Sequence, residues 1–228
     1  MNNVKFDTKT VNVLKSFSQI NPSMLFKEGD TITTVSPLKN IFARATVPVN
    51  FTKRFAVYSL SRFLNTMSLF NEPTITVTDR FVTITDGSNT KNVNYTIAEE
   101  STIPMPSTKE PNFPEGEVKF SLTIDSIKDI ERALGILNLS EIAISGDGAN
   151  LTMKAIDVSN PSGDTYTVTL GQTDRTFNAV FKPENFGVLS KNITNGYYEV
   201  DLSTRGFAHF KSPELEYWIA TEAVSTFN

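Results

Sequence analysis

The chain has 228 residues, 39% of them hydrophobic with 17 phenylalanines, enough apolar mass for one large domain or two small ones. It has no cysteine and a single histidine, His209, so disulfides, thiolate metal sites, a cysteine nucleophile and a histidine-rich metal centre are excluded. The net charge of −4 argues against a uniformly basic nucleic-acid binder, yet an acidic protein can still carry a basic stripe on one face. No apolar run reaches the ~18 residues of a membrane span, and the opening MNNVKFDTKT lacks the apolar core of a signal peptide, so a soluble intracellular protein is expected.

The first element is a short strand, Val4-Lys5-Phe6, followed by a helical pattern with Val11, Leu14 and Phe17/Ser18 on one face and Asp7 or Thr8 as its N-cap. Residues 31–47 are β-branched runs broken by turn residues. Residues 54–58 form a strand leading into the helix SLSRFLNTMSLF. A three-strand meander follows: TITVTD, RFVTITDG and KNVNYTIA. Residues 99–116, EESTIPMPSTKEPNFPEG, hold four of the eleven prolines and predict an extended, irregular connector.

After the connector the same order recurs. Val118-Lys119-Phe120 opens it. A helix with Ile127, Ile130, Leu134 and Leu137 on one face follows, capped by Asp125 or Ser126. Residues 140–158 predict strands around a Gly146-Asp147-Gly148 hairpin turn, and 165–170 alternate as a strand. Residues 176–181 lead into a helix opened by Pro183 and running through KPENFGVLSKNI. The meander YYEVDLST, GFAHFKSP, LEYWIATEA closes the chain. Phe55 matches Phe177, Arg80 and Arg205 sit at equivalent turns, and Ile97-Ala98 matches Ile219-Ala220. The offset stays near 114–125 residues, so the sequence predicts two copies of one α+β unit, at 1–100 and 117–228, joined by the connector 101–116.

Every predicted helix has an outward side with Lys or Arg among Asn, Ser or Thr. Lys9 and Lys15 lie on the first and Arg62 on the second. Lys128 and Arg132 are four apart on the third, and Lys182 and Lys191 belong to the fourth. A solvated face gives the same pattern. Acidic residues gather elsewhere, at Glu99, Glu100, Glu110 and Glu115 by the connector and Glu214, Glu216 and Glu222 near the end. Chemistry-bearing motifs are missing. There is no Walker-type phosphate loop, dinucleotide fingerprint, zinc-protease motif or calcium loop, and His209 has no evident nucleophile or base beside it. Asp157, Asp164 and Asp174 read as turn formers, and the phenylalanines at periodic positions (Phe6, Phe17, Phe55, Phe63, Phe120, Phe177, Phe186) as core. The apolar connector residues Ile103, Met105 and Phe113 lack periodicity. They either tuck onto the body or form part of a partner groove.

Two α+β copies with basic helix faces and an acidic connector follow the plan of a DNA sliding clamp. The whole chain resembles the processivity clamps of T4-like bacteriophages. The stretches that carry the resemblance are LKSFSQINPSMLFKEG (14–29), AVYSLSRFLNTMSLF (56–70), EIAISGDGANLTMKAIDVSN (141–160) and YEVDLSTRGFAHFKSPELEYWIATEA (198–223). The resemblance implies a DNA-clamp fold of class α+β, with antiparallel sheets outside and two helices per domain on the inner face. It implies a homotrimeric ring that encircles duplex DNA without reading its sequence, is opened by an ATP-dependent clamp loader, and tethers the replicative DNA polymerase. It implies no catalysis, cofactor, metal or membrane, and action in the cytoplasm of the infected host cell. Lys9, Lys15, Arg62, Lys128, Arg132 and Lys191 are then the expected channel residues, with Arg80 and Arg205 weaker candidates. Subunit closure is expected through edge strands carrying Asn92, Val93, Tyr95 and Ile97 in the first copy and Tyr166, Val168 and Leu170 in the second. A partner-peptide pocket is expected at Ile103, Met105, Phe113, Ala223 and Val224. The competing readings are a β-rich viral tail or baseplate protein, and a carboxylate hydrolase, against which the adjacent Glu99-Glu100 pair speaks because neighbours on a strand point apart.

Overall fold

The computed structural model describes residues 4–88, 90–103, 113, 115–191, 196–213 and 215–227. The chain divides into two compact units, Met1–Pro111 and Asn112–Asn228.

In the first unit β1 (Val4–Lys5) leads into α1 (Thr8–Ile20), then β2 (Met24–Phe26), β3 (Gly29–Val35), β4 (Ile41–Phe51), β5 (Phe55–Val57), α2 (Leu60–Met67), β6 (Thr74–Val77), β7 (Phe81–Thr85) and β8 (Asn92–Thr96). The strands β1, β6, β7 and β8 form one sheet in that order. The pairs β3–β4 and β2–β5 are antiparallel. From Ala43 to Phe51 in β4 the alternation of buried and more exposed residues shows one face on the core and the other toward water, while Ile41 and Phe42 are both buried. An aromatic cluster fills the core. Phe26 and Phe55 stack at 4.5 Å and 9°, and Phe51, Phe63 and Phe6 surround them.

The second unit repeats the order. It holds β9 (Val118–Thr123), α3 (Ile124–Leu137), β10 (Glu141–Asp147), β11 (Asn150–Ile156), β12 (Tyr166–Gln172), β13 (Thr176–Phe181), α4 (Pro183–Phe186), β14 (Tyr197–Ser203), β15 (Phe207–Lys211), β16 (Leu215–Ala220) and a final β17 (Thr226–Phe227). The pairing repeats as well. The β9-β14-β15-β16 run mirrors β1-β6-β7-β8, β10–β13 mirrors β2–β5, and β11–β12 mirrors β3–β4. These pairings are all antiparallel.

Four expectations change in detail. The strand β2 was not predicted, because three consecutive buried residues show no alternation. The N-cap of α3 is Thr123 rather than Asp125 or Ser126, its hydroxyl accepting the Ser126 amide at 3.2 Å. The fourth helix is a single turn ending at Phe186. Gly187 follows, and Val188 and Leu189 are buried as part of a turn. Register also corrects one correspondence: Phe81 pairs with Thr96 and Phe207 with Ala220, so Ala220 corresponds to Thr96, two residues before Ala98.

Candidate nucleic-acid interface

Each of the three longer helices begins at an oxygen-bearing cap that satisfies an end amide. Asp7 accepts from Thr10 N at 2.8 Å, Ser59 from Arg62 N at 3.3 Å, and Thr123 from Ser126 N. The caps fix where each helix starts, and the apolar spacing fixes which side is buried. In α1 that side is Val13, Leu14, Phe17 and Ile20; in α2 it is Leu60, Phe63, Leu64 and Met67; in α3 it is Ile124, Ile127, Ile130 and Leu134.

The opposite sides are polar and exposed. Asn12, Lys15 and Gln19 follow one stripe of α1, and Ser61, Arg62 and Asn65 one stripe of α2. On α3 Asp125, Lys128 and Arg132 share a stripe, with Arg132 lying 3.8 Å from Asp129 one turn back. Lys9 is half-buried at the start of α1. Lys191 is exposed but does not lie on a helix: it follows α4 in a turn, because that helix stops five residues earlier. Lys182, at the N-cap of α4, is committed to Glu141 at 3.0 Å. These surfaces can offer cations and neutral hydrogen-bonding groups to an anionic polymer.

The two expected edge strands, β8 and β12, each stand at an end of the strand order among the described residues. In β8 Asn92, Asn94 and Thr96 are exposed while Val93 and Tyr95 are half-buried. The Tyr95 ring packs edge-on against Phe63 at 5.2 Å, and its hydroxyl donates to the Ser59 carbonyl at 3.1 Å. Its side chain therefore belongs to its own unit, and what it offers outward is backbone. Ile97 N donates to the Arg80 carbonyl. In β12 Tyr166 is exposed and Val168 and Leu170 are half-buried.

The expected pocket residues divide between the units. Ile103 is buried in a small cluster with Leu25 and Ala56, bordered by Ala98, in the first unit. It serves the core. Met105 lies outside the described residues. Phe113 stacks on Trp218 at 5.0 Å and 14°, and touches Phe207 at 5.2 Å, in the second unit. Ala223 and Val224 are exposed in a turn before β17.

His209 has a partner that the sequence did not reveal. Its Nε2 lies 2.9 Å from Glu216 Oε2, and its ring lies flat on Trp218 at 4.2 Å and 4°. The β15–β16 register sets Trp218 directly opposite, and Glu216 is the next residue along the same face. Burial pushes its pKa below the ordinary value, with Glu216 opposing the shift. These contacts tie β15 to β16.

Comparison with known proteins accords with this geometry. Residues 5–105 match the family described as DNA polymerase processivity factor. The sliding clamp of Vibrio phage KVP40 is 30% identical over 226 residues, covering 97% of this chain and 100% of that protein. The sliding clamp of Enterobacteria phage T4 is 26% identical, covering 98% and 99%. Among solved structures, A. fulgidus PCNA with the C-terminal region of FEN-1 bound superposes with a TM-score of 0.72 at 15% identity, covering 99% of this chain and 100% of that one. Thermococcus kodakaraensis PCNA gives 0.69 at 15% identity, covering 96% and 99%. The PCNA structures establish the fold alone, and the near-complete match to the phage proteins establishes the kinship: the chain belongs to the sliding-clamp family, the DNA polymerase processivity factors of T4-like phages.

Proposed function

We propose that three copies of this chain close into a ring around duplex DNA and tether a replicative polymerase to it. The observation that carries this reading is the duplicated unit, in which α1, α2 and α3 each turn Lys or Arg outward among neutral polar groups. Clamp domains at 1–100 and 117–228, with a connector at 101–116, would give six similar domains to the ring. Duplex DNA carries about one negative charge per 1.7 Å of axis, so a few cations per domain attract it without reading bases. Lys9, Lys15, Arg62, Lys128, Arg132 and Lys191 are the proposed channel cations. Modest attraction suits sliding, since a closed ring cannot leave sideways.

Closure would pair β8 of one copy with β12 of the next, using Asn92, Val93 and Ile97 against Tyr166, Val168 and Leu170, with Tyr95 contributing main chain. A separate ATP-dependent loader would open the ring, the clamp itself catalysing nothing, within the cytoplasm of the infected host cell. A. fulgidus PCNA carries the C-terminal region of FEN-1. That supports a partner's terminal segment docking on this fold, with Phe113, Ala223 and Val224 proposed at the dock together with Met105, which lies outside the described residues. The tail or baseplate alternative is not favoured, because the relatives matched over nearly the whole chain are sliding clamps.

The test is molar mass by light scattering, then retention on nicked circular DNA after loading. Three chain masses, with release when the circle is cut, is the expected outcome. A strict monomer at high concentration, or retention indifferent to cutting, overturns the ring.

A further inference from the structure

The cleft between α1 and α2 has the build of a small-molecule site. It is half open to solvent and offers about 440 Å³, within the range of about 300–1,000 Å³ typical of ligand pockets. Phe6, Leu64 and Phe70 help form an apolar floor, and Lys15, Ser61 and Asn65 stand on its polar side. A pocket with an apolar body and few polar groups binds by burial and orients by those groups. Its charge is one-sided. Lys15 is the cation of the lining, and among the described residues no carboxylate lines the cleft. The Lys15 side chain is exposed and has no ion pair among the described residues, so its ammonium is available to an incoming anion.

These features select one class of occupant. A wholly apolar ligand leaves the ammonium and the serine and asparagine groups unused. A bare inorganic anion leaves the apolar floor wet and most of the volume unfilled. A duplex is too broad to enter between two packed helices. We propose that this cleft binds a small amphiphilic anion, with an apolar ring system or acyl body on the floor and a single sulfonate, carboxylate or phosphate on Lys15. Because Lys15 is also a proposed channel cation, an occupied cleft removes one positive charge from the DNA-facing surface. That consequence rests on the proposed DNA reading, whereas the binding itself does not.

The probe is 8-anilinonaphthalene-1-sulfonate, titrated into the intact native protein and followed by its emission. Saturable binding of one dye per chain is expected. Lys15→Glu should weaken it about tenfold by replacing attraction with repulsion. Ser61→Phe, at an exposed helix position, should abolish it by filling the cleft, with an unchanged melting temperature showing that the fold is kept. Lys211→Glu, in the other unit and outside the cleft lining, should leave it unchanged. Absence of saturable binding overturns the proposal, as does equal binding to the native, Lys15→Glu and Ser61→Phe proteins. Duplex DNA separates the two readings. Dye binding that DNA reduces supports both, while dye binding indifferent to loaded DNA upholds the cleft and counts against Lys15 as a channel residue.

Discussion

His209 stands in one cross-strand row with Asp201 on β14 and Trp218 on β16, and Glu216 holds its Nε2. Lys211 on its own strand also acts on it, as a like charge. Burial is the largest influence and lowers its pKa below the ordinary 6.5. Between 6.5 and the lower folded value the unfolded chain binds the proton and the folded chain does not. Stability therefore rises with pH across that window and falls on acidification. Urea denaturation at about pH 7.5 and about pH 5.5 should show this loss, and His209→Gln should flatten it relative to the native protein. An unchanged slope would mean that the imidazole is protonated equally in both states. Part of this was readable in advance. The alternation GFAHF placed His209 on a half-buried strand face. Its partner Glu216 is seven residues away and becomes a neighbour only through the β15–β16 register, which one sequence does not specify.

At the scale of elements the caps and turns carry the local code. Asp86 closes the β7–β8 connection by accepting from the Thr90 hydroxyl and amide at 2.8 Å and the Ser88 hydroxyl at 2.9 Å. The Thr90 hydroxyl bond is the leading cause of a carboxyl pKa lowered from 3.8 to about 2. Its stabilising effect is present above the ordinary value and is lost as pH falls from there through about 2. Asp86→Ala should loosen β8, read as faster amide exchange at Asn92–Thr96 at neutral pH, while the rest of the unit keeps its protection. In the core, Phe26 is fully buried against Phe55, and Phe26→Ala should cost about 3–5 kcal/mol in urea unfolding. Thr123→Ala should cost about 1 kcal/mol by freeing the Ser126 amide. The elements that the sequence mispredicted share a physical cause. β2 is buried on every residue, so no period marks it. The cap of α3 was expected at Asp125 or Ser126, and the helix starts earlier because the Thr123 hydroxyl takes the Ser126 amide. Past α4, Val188 and Leu189 continue an apolar pattern that packing uses in a turn rather than a helix.

For the whole molecule, duplication was the most readable feature, because a repeat is a relation within one sequence and needs no knowledge of packing. The strand–helix–strands–helix–meander order appears twice, with matching sheet pairings in both units. The interface residues were less readable, since a solvated helix face and a DNA-facing one have the same composition, and only their use separates them. A charge reversal exploits that difference. Lys128 and Arg132 are exposed on α3, and neither anchors the core. Substituting both by Glu should leave the melting temperature and the molar mass nearly unchanged. Each lost phosphate contact removes about one unit from the slope of log affinity against log salt, so the double variant should show a shallower salt dependence and faster release from circular DNA. Lys211→Glu, on β15 of the second unit, changes the net charge in the same direction and serves as the control. If the Lys211 variant weakens retention as much as the α3 pair, the effect is one of net charge alone and α3 does not face the DNA. If only the α3 pair does, an acidic protein holds a polyanion by the placement of a few cations and not by their number.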